Sequence, residues 1–198
     1  EYVQILPYRG PERYYKAMKE EIIISGFGGQ GVLSMGKLIA YAGIHDGKNV
    51  TWLPAYGAEQ RGGTANVTVI VSDGKISSPI LNTCETAILL NQPSLDRFLS
   101  HIRPGGTLIY DTFGITHRPE RSDIHIYEIN AMDTAARMSN AKVFNMLILG
   151  GLLKVRPFVS VDNICQALYK TLPERHHALI PLNMEALHKG MEIIRPVP

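Results

Sequence analysis

The sequence predicts an α/β fold: a Rossmann-like, doubly wound mixed sheet with an inserted antiparallel hairpin and a helical C-terminal third. Three observations carry that expectation. An apolar run, Glu21 to Ser25, meets a glycine cluster and then an amphipathic stretch, the order in which a βαβ unit opens. Near-alternating apolar residues flank Asp73-Gly74, a dipeptide suited to a tight hairpin turn. Beyond residue 130 the apolar spacing changes to three and four, the period of packed helices.

Taken in order, residues 1–20 carry no apolar signal core and no small-residue cleavage site, and they read as an extended arm before a single domain over residues 21–198. EIIIS at 21–25 has the unbroken apolar character of a parallel strand buried on both faces. From Gln30 to Ile44, Val32, Leu33, Met35, Leu38, Ile39 and Ala42 mark one stripe of a helix. NVTWL at 49–53 is the second strand, and the long glycine-rich loop PAYGAEQRGG follows it. TANVTVIVSDGKISSPI is the expected hairpin, turning at Asp73-Gly74. TAILLN, GTLIYD and DIHIYEI are further strands, with a helix from Pro93 to Ile102 after the first of them. Four helices close the chain, within 131–140, 142–154, 160–172 and 183–194, with Ser160 and Asn183 as N-caps and Pro173 as a stop.

Bulk properties narrow the function classes. A net charge of +2 over 198 residues is too small for a phosphate-backbone groove or a membrane-surface patch, so neither nucleic acid nor membrane is expected as a partner. No apolar run approaches the roughly 20 residues that cross a bilayer. Cys84 and Cys165 stand alone, which signals neither a disulfide framework nor a cysteine-ligated cluster, and a reducing cytoplasm is the expected compartment. The seven histidines are scattered, and no metal site is predicted. Motifs of serine hydrolases, zinc proteases and P-loop enzymes are absent, and no catalytic residue is assigned to this chain.

Gly26, Gly28 and Gly31 have the G-x-G-x-x-G spacing of dinucleotide-binding folds. Its second half is missing. A carboxylate should end the second strand to accept from the ribose 2′-hydroxyl, and here that strand ends in Trp52-Leu53-Pro54. Asp46 precedes the strand, Glu59 lies beyond it, and Arg61 falls seven residues past Pro54. Two readings stay open: Gly28, Gly29 and Gly31 turn the chain sharply, or amide groups at the start of the Gln30 helix receive an anion. YGAEQRGG, Tyr56 to Gly63, sets an aromatic, a carboxylate and a guanidinium between glycines at the carboxyl edge of the sheet, where ligands of open α/β folds gather. Arg61 offers a fork for a carboxylate or phosphate, or it merely pairs with Glu59 at the surface.

GFGGQGVL at 26–33, WLPAYGAEQRGGTANVTV at 52–69, ISSP at 76–79, RPGGTLIYD at 103–111 and FNMLILGGLL at 144–153 together resemble the gamma subunit of 2-oxoacid:ferredoxin oxidoreductases, across nearly everything after residue 20. The resemblance implies an accessory subunit in a complex that oxidatively decarboxylates a 2-oxoacid to acyl-CoA while reducing ferredoxin. Thiamine diphosphate, magnesium and iron-sulfur clusters would reside in the alpha, beta and ferredoxin-like delta subunits, coenzyme A would be co-substrate, and self-association stays open to the isolated chain. The GGTAN wording looks most like the 2-oxoglutarate branch, with 2-oxoisovalerate and pyruvate branches close behind.

In that setting Gly26, Gly28, Gly29, Gln30 and Gly31, with Tyr56, Glu59, Arg61, Gly62 and Gly63, would face the catalytic subunits and shape the entry of coenzyme A. Arg61 would contact the anion, Glu59 would orient Arg61, and Gly62 and Gly63 would keep the backbone close to a partner. The competing expectations are a free-standing NAD(P)-dependent oxidoreductase and a purely structural scaffold.

Overall fold

A computed structural model describes residues 17–56, 64–138 and 141–198, without the side chains of residues 56 and 141. Its centre is β1 (Lys19–Phe27), in which Ile22, Ile23 and Ile24 are buried on alternating faces. The chain continues through α1 (Val32–His45), β2 (Asn49–Tyr56), β3 (Thr64–Ser72), β4 (Cys84–Leu89), α2 (Gln92–Phe98), β5 (Ile102–Asp111) and β6 (His125–Ile129). α3 (Ala131–Arg137), α4 (Phe144–Val155), α5 (Val161–Thr171), α6 (Ile180–Ile193) and the short β7 (Arg195–Pro196) complete it.

The strands form one seven-stranded sheet in the order β2-β3-β1-β4-β5-β6-β7. β1, β4, β5 and β6 run parallel, while β3 is antiparallel to both β1 and β2, and β7 is antiparallel to β6. Period-two alternation sends side chains into two cores. Ile22, Ile24, Val67, Val69 and Ile109 pack under α1, α4, α5 and α6, whereas Ile23, Ala87, Leu89, Leu108 and Tyr110 pack with Leu95 and Phe98 of α2. Helices thus cover both faces, as a doubly wound sheet requires. α4 and α6 touch backbone to backbone: a Cβ on Gly150 would stand 1.8 Å from the Leu187 carbonyl oxygen, and one on Gly190 1.9 Å from that of Leu147.

The antiparallel hairpin is present, but its arms differ from those expected. β2 and β3 form it, with pairing from Asn49↔Ser72 to Tyr56↔Ala65, and the segment after Asp73-Gly74 is not a strand. Asp73 instead anchors the end of β3: its carboxylate accepts from Met18 N at 2.8 Å and from Lys48 Nζ at 2.8 Å. Ser160 caps α5 as its sequence predicts, accepting from Asn163 N at 3.1 Å. Asn183 does not cap. The last helix starts three residues earlier, at Ile180 with Pro181 in its first turn, so Asn183 lies inside it and its Nδ2 donates to Leu179 O. Residues 1–16 of the expected arm lie outside the described residues, and β1 already begins at Lys19.

Candidate functional site

β1 crosses the buried centre of the sheet and ends at the exposed Phe27, where the chain must reverse into α1. Gln30 N donates to Phe27 O at 3.2 Å to close the turn, and Phe27 N donates to Gln30 Oε1 at 2.6 Å. Gln30 Nε2 then reaches Leu90 O at 3.4 Å, tying the turn to the end of β4. Gly29 and Gly31 have φ of +96° and +76°, values that side-chain-bearing residues rarely adopt. A Cβ on Gly26 would meet Gln30 Oε1 at 2.6 Å, and one on Gly31 would meet Asn145 Cβ at 2.8 Å. Gly28 and Gly29 are exposed.

α1 begins at Gly31 with no side-chain cap and no acidic residue in its first turn. Its leading N–H groups therefore keep their partial positive charge for an outside acceptor. α1 leaves β1 toward β3 and β2 on one face, whereas β4 and α2 lie on the other side of β1. The β1/β4 boundary is thus the point where the winding reverses, and ligand crevices of open α/β sheets form there.

The same edge gathers most of the residues singled out in the sequence. Phe27 pairs with Thr64 and Ala65 with Tyr56, so the strand residues on either side of segment 57–63 stand beside the glycine turn. Glu59, Arg61, Gly62 and Gly63 lie outside the described residues.

Several residues at this edge escaped sequence reasoning. Asn91, 1% exposed, caps α2 by accepting from Ser94 N at 2.8 Å, while its Nδ2 has no partner among the described residues. Ser94 Oγ in turn shares a 2.8 Å hydrogen bond with Ser25 Oγ, next to the glycine turn. Asp111, fully buried at the end of β5, accepts from Ala131 N at 2.8 Å and Met132 N at 3.2 Å. Burial pushes the Asp111 carboxyl above the usual carboxylate range, against those backbone donors. Gln92 Oε1 accepts from Thr116 N and His117 N, which holds the loop after β5. In that loop Gly114 sits over Leu90, where a Cβ would stand 2.0 Å from the Leu90 carbonyl oxygen, and the adjacent Phe113 is 71% exposed. The signal available for Asn91 and Asp111 was a polar residue directly ending a buried strand; exposed Phe27 and Phe113 left none.

Chemically, the edge offers amide donors and two exposed aromatic rings. It does not suit a dinucleotide. β3 is inserted between β1 and β2, so the tip that would read the ribose stands two strand spacings, about 10 Å, from β1 instead of one. Cys84 is buried, and burial raises its thiol to about 12, far from a reactive thiolate. Among the described residues, no group of three or more His, Cys, Asp or Glu is placed to hold a metal ion, and no helix is long and apolar enough to cross a membrane.

A family model described as pyruvate ferredoxin/flavodoxin oxidoreductase matches residues 21–193. Ketoisovalerate oxidoreductase subunit VorA of Methanothermobacter thermautotrophicus is 34% identical over 173 residues, which are 87% of this chain and 36% of that protein. Among solved structures, the gamma subunit of a keto/oxoacid ferredoxin oxidoreductase from Geobacter sulfurreducens is 30% identical with a TM-score of 0.77, covering 89% of this chain and 97% of its own. The 2-oxoglutarate:ferredoxin oxidoreductase from Magnetococcus marinus, solved with 2-oxoglutarate, coenzyme A and succinyl-CoA bound, is 26% identical with a TM-score of 0.80, covering 88% of this chain. The chain spans about a third of the length of VorA and 30% of the Magnetococcus chain.

Proposed function

The chain belongs to the pyruvate ferredoxin/flavodoxin oxidoreductase family, and we propose that it is the accessory, gamma-type part of a 2-oxoacid:ferredoxin oxidoreductase. The complex would oxidatively decarboxylate a 2-oxoacid to an acyl-CoA and pass the electrons to ferredoxin. Thiamine diphosphate, magnesium and iron-sulfur clusters belong to its alpha, beta and ferredoxin-like delta parts. The observation that carries this reading is the convergence, at the β1/β4 reversal, of the uncapped start of α1, the strand ends at Tyr56 and Thr64 and the exposed rings of Phe27 and Phe113. Amide dipoles favour an anion there, and exposed aromatic rings favour a protein surface.

Within that reading, Gly26, Gly28, Gly29, Gln30 and Gly31 hold the backbone against the catalytic subunits. Tyr56 and the loop with Glu59, Arg61, Gly62 and Gly63 border the entry of coenzyme A, with Arg61 on one of its anionic groups. Substrate choice lies outside this chain, because relatives named for ketoisovalerate and for 2-oxoglutarate share this same domain. Both 2-oxoacids, with pyruvate, are the substrates to assay.

Arg61→Ala tests the site. In the complex with its partner subunits, losing a charge-assisted contact should raise the KM for coenzyme A about tenfold or more with the 2-oxoacid KM unchanged. An unchanged KM and turnover would remove Arg61 from the site.

A further inference from the structure

A second concavity lies on the helical face. α1, α4, α5 and α6 enclose a cavity of about 360 Å³, within the range of small-molecule sites. Its apolar wall is made by Leu38, Met146, Leu168, Leu172 and Leu179. Lys37, Lys142 and His176 line it, together with hydroxyl and amide side chains, and among the described residues no carboxylate does.

Neighbouring elements make the cavity from parts that ordinary helix packing would close. Asn145 is the shared wall: its Cβ would lie 2.8 Å from a Cβ on Gly31, and its side chain also lines the cavity. Glycine at position 31 lets α4 approach the start of α1 closely. The wider gap then falls further along, between Lys37 and the segment Glu174–Leu179 that links α5 to α6. Leu179 is exposed and Leu172 half-buried at this cavity, and apolar surface gains free energy when an apolar group covers it. A rim with a lysine and no carboxylate among the described residues favours an anionic head on that group.

We propose that this cavity binds a small amphiphilic anion, its apolar body against Leu38, Met146, Leu168, Leu172 and Leu179 and its carboxylate or phosphate at Lys37 and His176. The site is separate from the coenzyme A edge and does not depend on the function proposed above. Binding here would bridge α1 to the α5–α6 link and bias the position of α1, whose first turn borders the other site.

Octanoate and octyl phosphate are suitable probes, with octanol as the neutral control. Titration of the full chain, followed by calorimetry and by the methyl signal of Met146, should show one saturable site with a Kd below about 1 mM for an anionic probe and at least about tenfold weaker binding of octanol. Octanoate and octyl phosphate distinguish a carboxylate from a phosphate head. Lys37→Glu, at an exposed position, should weaken the anion about tenfold or more without changing thermal stability, and Thr171→Trp should block the cavity. Equal binding of octanol and octanoate, a Met146 methyl that does not respond, or affinity unmoved by both variants would overturn the proposal. A partner's side chain filling the cavity in the native complex would overturn it as well.

Discussion

Gly31 meets two demands at once, and Gly29 meets only one. Both have positive φ, but a Cβ at Gly31 would also press on Asn145 of α4 at 2.8 Å, whereas a Cβ at Gly29 would meet nothing within 4 Å. The order of the two alanine variants follows from that difference. Gly31→Ala should destabilise the chain by roughly 1–3 kcal/mol, and Gly29→Ala by less, with the gap between them reporting the α1–α4 contact. Urea unfolding of both variants checks it. Equal losses would mean that α4 yields freely and that Asn145 does not set the distance between these helices. Gln30, between them, shows a residue whose type matters through both ends of its amide: Oε1 accepts from Phe27 N while Nε2 reaches Leu90 O.

Among the elements, β1 carries opposite chemistry at its two ends. Glycine and amide groups mark its carboxyl end, while at its amino end Glu20 and Glu21 are almost fully buried. Glu20 accepts from Thr86 Oγ1 of β4 and from Arg156 just past α4, each at 2.5 Å, and Glu21 pairs with Lys19 and with Arg103 of β5. Arg156 and Arg103 also approach Glu85, at 3.7 Å and 3.9 Å.

This network ties three strands to the end of α4, and Glu21 and Glu85 within it respond to pH in opposite senses. Burial pushes Glu21 up, but hydrogen bonds from Lys19 and Arg103 outweigh it and hold the carboxyl below 4.5. Its contribution is therefore present above 4.5 and lost as the pH falls through the folded value. Glu85 is raised above 4.5 by burial and by the Glu20 charge, so the folded state keeps that proton longer and stability falls as the pH rises through the window above 4.5. Urea unfolding from about pH 3 to pH 7 should show Glu21→Gln flattening the acid side and Glu85→Gln removing the decline above 4.5. A Glu21→Gln profile parallel to wild type throughout would contradict the ion pairs as drawn.

The legibility of these elements in the sequence varied with how local their causes are. Ile22 to Ile24 followed by glycines identified β1 and its turn, and Ser160 with Asn163 identified the start of α5, because those signals are complete within a few residues. Asp73-Gly74 misled. A turn dipeptide describes what a chain can do, whereas the partner of β3 is chosen by distant strands, and Asp73 serves to receive Met18 and Lys48. The crowding at Gly31 depends on a contact 114 residues away in sequence, with Asn145, and the exposure of Phe113 depends on Gly114 lying over Leu90. The glycine turn and the residues flanking segment 57–63 could be singled out in the sequence by their types, whereas their proximity comes from the register of β1, β3 and β2.

At the scale of the whole molecule, the fold offers shape and dipoles at one edge, a separate cationic cavity on its helical face, and a charged tie at the opposite edge. An assembly that supplies the oxidative chemistry elsewhere and uses this chain to complete an anion-binding entry fits that division. The most direct measurement is ferredoxin reduction driven by a 2-oxoacid and coenzyme A, using the purified partner subunits with and without this chain. Adding the chain should raise turnover by about 100-fold or more, since misplacing a reactant by a small distance costs that much, and the chain alone should give none. Full turnover by the partners without it, or turnover by the chain in isolation, would contradict the accessory role proposed for it.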